Sequence, residues 1–287
     1  MARIIGAVTT SHVPAIGNAI ARGLTQDPYW RPFFDGFHGV HAWLWEARPD
    51  VVVVFYNDHG LNFFLDRMPT FAIGAAPEYH YADEGWGIPP MFPPFAGDPA
   101  LSWHLIESLV REEFDMTSCQ EMQVDHAFAV PMALLWPGAE AWPVRTVPIA
   151  INTVQHPLPS AARCFKLGQA VGRALESHAP ELRVLVLGTG GLSHQLDGRR
   201  AGFINREFDL LCMDRLVHDP RALTAYSTAE LVQLAGSQGV ELLNWIAARG
   251  SLTGRVSKVH SHYHVPISNT ASGIMVLQNH PSQLRAA

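Results

Sequence analysis

The sequence predicts an α/β protein, a three-layer α/β/α fold around a central mixed sheet. Two observations carry this expectation. Short apolar runs, Arg3–Thr10 (RIIGAVTT), Val51–Tyr56 (VVVVFY) and Arg183–Leu187 (RVLVL), alternate along the chain with longer segments of helical period. Hydrophobic residues make up 48% and charged residues 16% of the 287-residue chain, enough apolar matter for a well-buried core.

Taken in order, Arg3–Thr10 is the first strand. Trp30–Ala47 carries apolar residues at near-helical spacing and should stop before Arg48-Pro49. Val51–Tyr56, bounded by Pro49-Asp50 and Asn57-Asp58, reads as a buried strand, and Thr70–Ile73 as a short one. Gly74–Gly97 has no period and is rich in Pro, Gly and aromatics, the composition of a lid, a binding loop or a partner surface. Ala100–Phe114 is a helix, with Asp98 as N-cap and Pro99 at the first helical position. Val144–Ile151 is a strand and Ser160–Ser177 a strongly amphipathic helix. Arg183–Leu187 is followed by Gly188-Thr189-Gly190-Gly191. Helices are expected at Phe203–Val217, Thr228–Leu234 and Gly239–Arg249, the last stopped by Gly250, and a closing strand at Ala271–Leu277. With no internal repeat, low-complexity tract or linker, one domain over 1–287 is expected.

A formal net charge of −6 leaves no general basic surface for nucleic acid. No run reaches the length of a membrane span, and MARIIGAVTT lacks the pattern of a signal peptide, so a cytoplasmic location is the expectation. Cys119, Cys164 and Cys212 are widely spaced and form no CxxC pair, which argues against a thiolate zinc site and a disulfide framework.

Chemistry concentrates in the histidines. His12, His59 and His194 each sit just past a strand-like run, and open α/β sheets place their ligand crevice beyond the carboxyl ends of their strands. Imidazole serves both as metal ligand and as general acid/base. Any one of the three reads as a strand cap; together they read as a site. Pro14 stiffens the turn after His12, and Asp58 is placed to fix the tautomer of His59. The stretch Gly188-Thr189-Gly190-Gly191-Leu192-Ser193-His194-Gln195 matches neither a phosphate loop nor a dinucleotide fingerprint, so its glycines serve to aim His194. GxSxG and HExxH are absent, which argues against an esterase and a zincin.

Two histidines and a carboxylate with open positions form the facial triad of non-haem Fe(II) oxygenases. Asp58, Asp83, Glu84, Asp125, Asp197 and Glu241 are all candidates for the carboxylate, and spacing does not choose among them. Glu241 opens an otherwise apolar helix, where a buried carboxylate would need a partner; an exposed first-turn Glu, favoured by the helix dipole, is the competing reading. Asp125-His126 is a polar pair in an apolar neighbourhood, structural or catalytic with equal weight. His260, His262 and His264 would share one face of an extended segment and read as a solvated edge rather than a metal site. His38, His41, His80, His104, His156, His178, His218 and His280 belong to no constellation.

At these residues the chain resembles the class III extradiol ring-cleavage dioxygenases, and within them the catalytic beta subunit of the protocatechuate 4,5-cleaving type. The resemblance runs nearly end to end, through Thr10–Ile16 (TSHVPAI), Tyr56–His59 (YNDH), Pro69–Gly74 (PTFAIG), Ala82–Gly87 (ADEGWG), Val124–His126 (VDH), Gly188–Leu196 (GTGGLSHQL), Gly239–Leu242 (GVEL) and Tyr263–Thr270 (YHVPISNT). It implies Fe(II) bound by His12, His59 and Glu241, with His194 as the acid/base residue and His126 beside the oxygen site. It places Ser268 and Asn269 at the pocket for the ring substituent. It implies O2 and a catechol-type aromatic acid as substrates, protocatechuate first and gallate or 3-O-methylgallate as the alternative, and a small helical alpha subunit capping the site in an alpha2beta2-type assembly. With no such cap before Ala287, a separate partner is expected. Gly60 and Ile88–Phe92 (IPPMF) depart from the family's pattern and put the substrate in question more than the reaction. A non-catalytic or zinc-dependent member of the same fold is the competing reading.

Overall fold

The computed structural model describes residues 1–280; the expected single domain over 1–287 runs on into 281–287, outside the described residues. The chain passes through β1 (Arg3–Thr10), α1 (Pro14–Ala21), α2 (Arg31–Asp35), α3 (His38–Ala47), β2 (Val51–Tyr56), β3 (Phe71–Gly74), β4 (Glu78–Tyr79), β5 (Phe95–Ala96), α4 (Pro99–Arg111), β6 (Thr117–Cys119) and α5 (His126–Leu135). It continues through β7 (Arg145–Ile151), α6 (Ala161–Ser177), β8 (Arg183–Thr189), α7 (Arg206–His218), α8 (Thr228–Ala235), α9 (Leu242–Gly250), β9 (Arg255–Ile267) and β10 (Thr270–His280).

Eight strands form one sheet in the order β6-β3-β7-β2-β8-β1-β10-β9. Its centre is parallel, β7 with β2, β2 with β8 and β8 with β1. The pairs β1–β10, β10–β9 and β3–β7 are antiparallel, so the sheet is mixed. Alternation along β2 shows why the sheet needs two helix layers. Val51, Val53 and Phe55 enter a core with Leu105 and Leu109 of α4, Leu167 and Val171 of α6, and Trp245 of α9. Val52, Val54 and Tyr56 enter the other, with Phe33, Val40, Phe128 and Met132 of α2, α3 and α5. Full burial of each such side chain stabilises the fold by roughly 1.5–3 kcal/mol. No helix among the described residues is long and apolar enough to cross a membrane.

The Asp98 cap forms where the sequence places it, accepting from Leu101 N at the start of α4; Ser160, read as the first residue of its helix, is instead the N-cap of α6 and accepts from Arg163 N. Other expectations need correction. Trp30–Ala47 is not one helix. It breaks between α2 and α3, where the Gly36 carbonyl accepts a bond from His260 Nε2 at 2.7 Å and a Cβ on Gly36 would meet His262 at 2.4 Å. The predicted helix over Gly239–Arg249 is a short 3-10 turn, Gly239–Glu241, followed by α9 from Leu242. The Gly74–Gly97 segment contains the β4–β5 pair. The sequence does not delimit several elements, among them β6, α5, α1 and β9. Helix α5 is buried at every residue, so it shows no amphipathic period. The short helix α1 follows His12, and β9 is a polar edge strand of 13 residues. His260, His262 and His264 lie on that strand, half-buried rather than solvated; His262 and His264 stack at 6.3 Å on one face, as alternation requires.

Candidate active site

The parallel strands β1, β2, β7 and β8 end along one edge of the sheet, and the segments beyond those ends line a cavity of about 620 Å³. Its walls include His12, His59, Trp86, His126, Thr153, His194, Gln238, Glu241, Ser268 and Thr270. The three strand-end histidines do converge there. His12 Nε2 lies 3.3 Å and His59 Nε2 3.5 Å from Glu241 Oε1, and His194 Nε2 lies 3.9 Å from Glu241 Oε2. Glu241 is therefore the carboxylate that reaches both ligand candidates, and it is buried rather than an exposed first-turn residue.

Backbone explains how a helix-borne carboxylate gets so close to a sheet. Gly190 has φ 140°, and a Cβ there would meet Glu241 Cβ at 2.7 Å, so only glycine lets the two segments touch. Gly191 N donates to Glu241 Oε2 at 2.7 Å, and Asn57 Nδ2 donates to Oε1 at 3.3 Å. Asn57 is held in turn by Asn244 Nδ2, which donates to Asn57 Oδ1 at 3.0 Å and to Thr189 O at 2.8 Å. The glycine-rich stretch thus fixes Glu241 as well as His194.

Each imidazole has its second nitrogen committed. His59 Nδ1 and the His59 backbone N–H both donate to Asp125 Oδ2, at 3.0 and 2.9 Å. This corrects the role expected of Asp58, whose carboxylate instead accepts from the backbone N–H groups of Gly60, Leu61, Asn62 and Phe63 and holds the turn. His12 Nδ1 pairs with Thr189 Oγ1 at 3.2 Å. His126 Nδ1 and its backbone N–H donate to Glu84, at 2.9 and 2.7 Å to Oε2. His194 Nδ1 donates to Leu192 O at 3.0 Å, which leaves Nε2 as an acceptor toward the cavity. Behind it, Ser193 is tied to Asp209 of α7 through both its N–H (2.8 Å) and its hydroxyl (2.7 Å).

The charges follow from this packing. Burial opposes ionisation of Glu241, yet the imidazoles of His12, His59 and His194 outweigh it and hold the carboxyl well below the usual range. Burial likewise opposes a charged His59, but Asp125 and Glu241 raise its affinity for a proton well above normal. His126 is pushed the other way, by burial and by positive charge on His59, and stays neutral. Burial and the Asp125 charge push the Glu84 carboxyl up to about 7. The pocket floor thus favours positive charge between His12, His59 and Glu241.

The donor set fits a metal. His12 Nε2 is buried and makes no aligned hydrogen bond despite its closeness to Glu241. An orphan of this kind costs ~1–3 kcal/mol unless something meets it. A histidine that gives its far N–H to a carboxylate, as His59 does to Asp125, is the arrangement of metal-binding imidazoles. His12, His59 and His126 also present nitrogens within 4.8 Å of one another, as do His59, Glu84, Asp125 and His126. In that second group both carboxylates are already taken by Nδ1 protons.

Of the residues expected at the substrate pocket, Ser268 lines the cavity, with φ 55°. Asn269 is exposed and does not line it; a Cβ on Gly202 would lie 3.8 Å from its Oδ1. Asn57 and Thr189 lie in stretches that carry the resemblance, which gives them no role of their own, and Asn244, Asp209 and Thr153 gave no sequence signal. His156, assigned to no constellation, lines the cavity as well.

Residues 6–273 match the family described as the catalytic LigB subunit of aromatic ring-opening dioxygenase. The chain belongs to this family. Among curated relatives, gallate dioxygenase of Pseudomonas putida KT2440 is 43% identical over 205 residues, 71% of this chain and 60% of that protein. The 2,3-dihydroxyphenylpropionate/2,3-dihydroxicinnamic acid 1,2-dioxygenase of Photorhabdus laumondii is 33% identical over 187 residues, 65% of this chain and 55% of that protein. The matches therefore span little more than half the length of these two relatives. An enzyme of the latter name from Pseudomonas putida is 32% identical over 282 residues, 81% of this chain and 86% of that protein. An uncharacterized protein of Escherichia coli K12 shares the fold, with a TM-score of 0.55 at 13% identity, over 96% of this chain.

Proposed function

We propose that this chain opens the ring of a catechol-type aromatic acid with O2, at a bond beside the diol, and that its substrate class is that of gallate, ahead of protocatechuate. One observation carries the reading: the buried His12 and Glu241 and the part-buried His59 meet at the floor of a cavity into which His194 directs Nε2, its Nδ1 being held by the Leu192 carbonyl. The 43% identity to gallate dioxygenase favours gallate. In this reading 1–287 is one catalytic domain.

His12, His59 and Glu241 would hold Fe(II). When bound, that ion would supply a Lewis acid that makes the diol more acidic and a redox centre through which ring and O2 exchange electrons. The remaining work falls to the chain. His194 Nε2 accepts a proton from a diol hydroxyl and returns it as the ring opens, a transfer suited to an imidazole near neutral pH. The Leu192 carbonyl holds Nδ1, so Nε2 is the nitrogen that takes up and returns the proton. His126, neutral and pinned by Glu84, lines the cavity beside His59, their rings 4.3 Å apart, where a small reactant must sit. Ser268, on the cavity wall, meets the ring substituent; Asn269 lies outside the cavity and is given no such role. A small helical subunit would close the mouth, where Trp86, Val154 and Leu196 are exposed.

Oxygen uptake by protein purified without oxygen and loaded with Fe(II) or Zn(II) tests the reading. One O2 is consumed per gallate with Fe(II) and none with Zn(II). No uptake with gallate, protocatechuate or 3-O-methylgallate, with or without a capping subunit, overturns it.

A further inference from the structure

We propose that Thr153 reads a third ring hydroxyl of the substrate, and so distinguishes a trihydroxylated aromatic acid from a dihydroxylated one; this rests on the ring-opening reading above. Among the described residues, two buried polar side-chain atoms lack a hydrogen-bond partner and belong to residues lining the cavity: His12 Nε2 and Thr153 Oγ1. His12 Nε2 has a metal to meet. Thr153 is only 5% exposed, and among the described residues none hydrogen-bonds its hydroxyl. Buried hydroxyls are normally bonded, as Ser193 is to Asp209 behind His194. An unpaired hydroxyl on a residue of the cavity wall is placed for a group that arrives with the ligand.

The wall is rigid. Asn152 Oδ1 accepts from Val154 N at 3.2 Å and Gln155 N at 2.9 Å, and Asn152 Nδ2 donates to Gln155 O at 2.6 Å, so the turn carrying Thr153 is tied on both sides. Its place in the fold decides which part of a ring it meets. The last rung between β2 and β7 pairs Tyr56 with Ala150, and three residues further on each strand stand His59 and Thr153. Thr153 therefore flanks the metal-binding candidates on the β7 side. Ser268 and Thr270 flank them on the β9–β10 side, with β2, β8 and β1 between. The two flanks face different edges of a bound ring.

Chemistry selects the substituent. No Lys or Arg lines the cavity among the described residues. A carboxylate would call for a cation or several donors, whereas a ring hydroxyl both gives and takes a hydrogen bond, as a threonine hydroxyl does. Sites built to bond a substrate hydroxyl reject the analogue without it, because a buried polar group is then left unpaired.

The test compares gallate with protocatechuate, which differ by that one hydroxyl, in the wild type, Thr153→Val and Thr153→Ser. Calorimetric titration without oxygen reads affinity, and steady-state oxygen uptake reads kcat/KM. The gallate-over-protocatechuate ratio should fall about 10-fold or more in Thr153→Val and be kept in Thr153→Ser. Should Thr153→Val fail to fold, Thr153→Ala replaces it. An unchanged ratio, or equal losses with both acids, overturns the proposal. If the binding ratio collapses in Thr153→Val but the wild type opens neither acid, the inference holds and the ring-opening reading falls. If the wild type opens both acids and Thr153→Val leaves their ratio intact, the inference falls alone.

Discussion

At the floor of the cavity, His12 is tied to Thr189, His59 to Asp125, His126 to Glu84 and His194 to the Leu192 carbonyl, all from strand ends, helix starts or the loop above them. At the rim, Trp86, Val154 and Leu196 are 52%, 48% and 51% exposed, on loops that the sheet does not pair. The contrast separates two tasks. Proton and metal chemistry need nitrogens aimed within tenths of an ångström, which requires buried, fully bonded partners. Admission of a substrate tolerates loops. Substitutions at the floor should therefore abolish chemistry, and those at the rim should only tune it.

The largest effect is expected for Glu241→Ala, which should lose both bound metal and turnover; metal analysis alongside oxygen uptake reads the two together. A variant that keeps full metal and activity would remove Glu241 from the ligand set. His194→Ala should split them, keeping metal while turnover falls by ~10²–10⁴-fold. Loss of metal in that variant would make His194 a ligand.

A smaller effect concerns Glu84. With its carboxyl raised to about 7 by burial and Asp125, the folded metal-free protein keeps a proton that the unfolded chain, near 4.5, releases. Stability from this group therefore falls as pH rises between those values, and Glu84→Gln removes the loss. Thermal midpoints should show the variant gaining on the wild type as pH rises through this window; a constant difference would deny the shift. The smallest effect belongs to the rim. Leu196→Ala should change stability by no more than ~0.5 kcal/mol and move KM more than kcat. A collapse of kcat there would erase the distinction between floor and rim.

How much of this the sequence reveals follows the same division. His12, His59 and His194 stand out because each follows a run whose strand character is plain, and parallel strands must end on one edge. Their separate roles came from the family resemblance, since nothing in the spacing distinguishes a ligand from a base. Glu241 was one carboxylate among six, because its approach depends on Gly190 lacking a Cβ, a contact between segments some fifty residues apart. Asp58 drew attention by adjacency, but its carboxylate is spent on its own turn, and Asp125 reaches His59 from another element. Helix α5, which carries His126 at its first position, was invisible because a helix buried on all sides has no polar face to mark its period. Thr153 follows β7 in a loop without a motif; only its missing partner singles it out.

Under the ring-opening reading, the lack of Lys and Arg in the cavity wall among the described residues bears on what would follow once a ring had opened. Cleavage beside the diol turns one oxygenated ring carbon into a new carboxylate, so the product carries more negative charge than the acid that entered. Away from the metal-binding floor, a wall without Lys or Arg among the described residues offers that added charge no cationic side chain, while bulk water solvates it well. The opened chain, more anionic and no longer planar, would be better held by solvent than by the pocket, and the site would empty itself for the next ring.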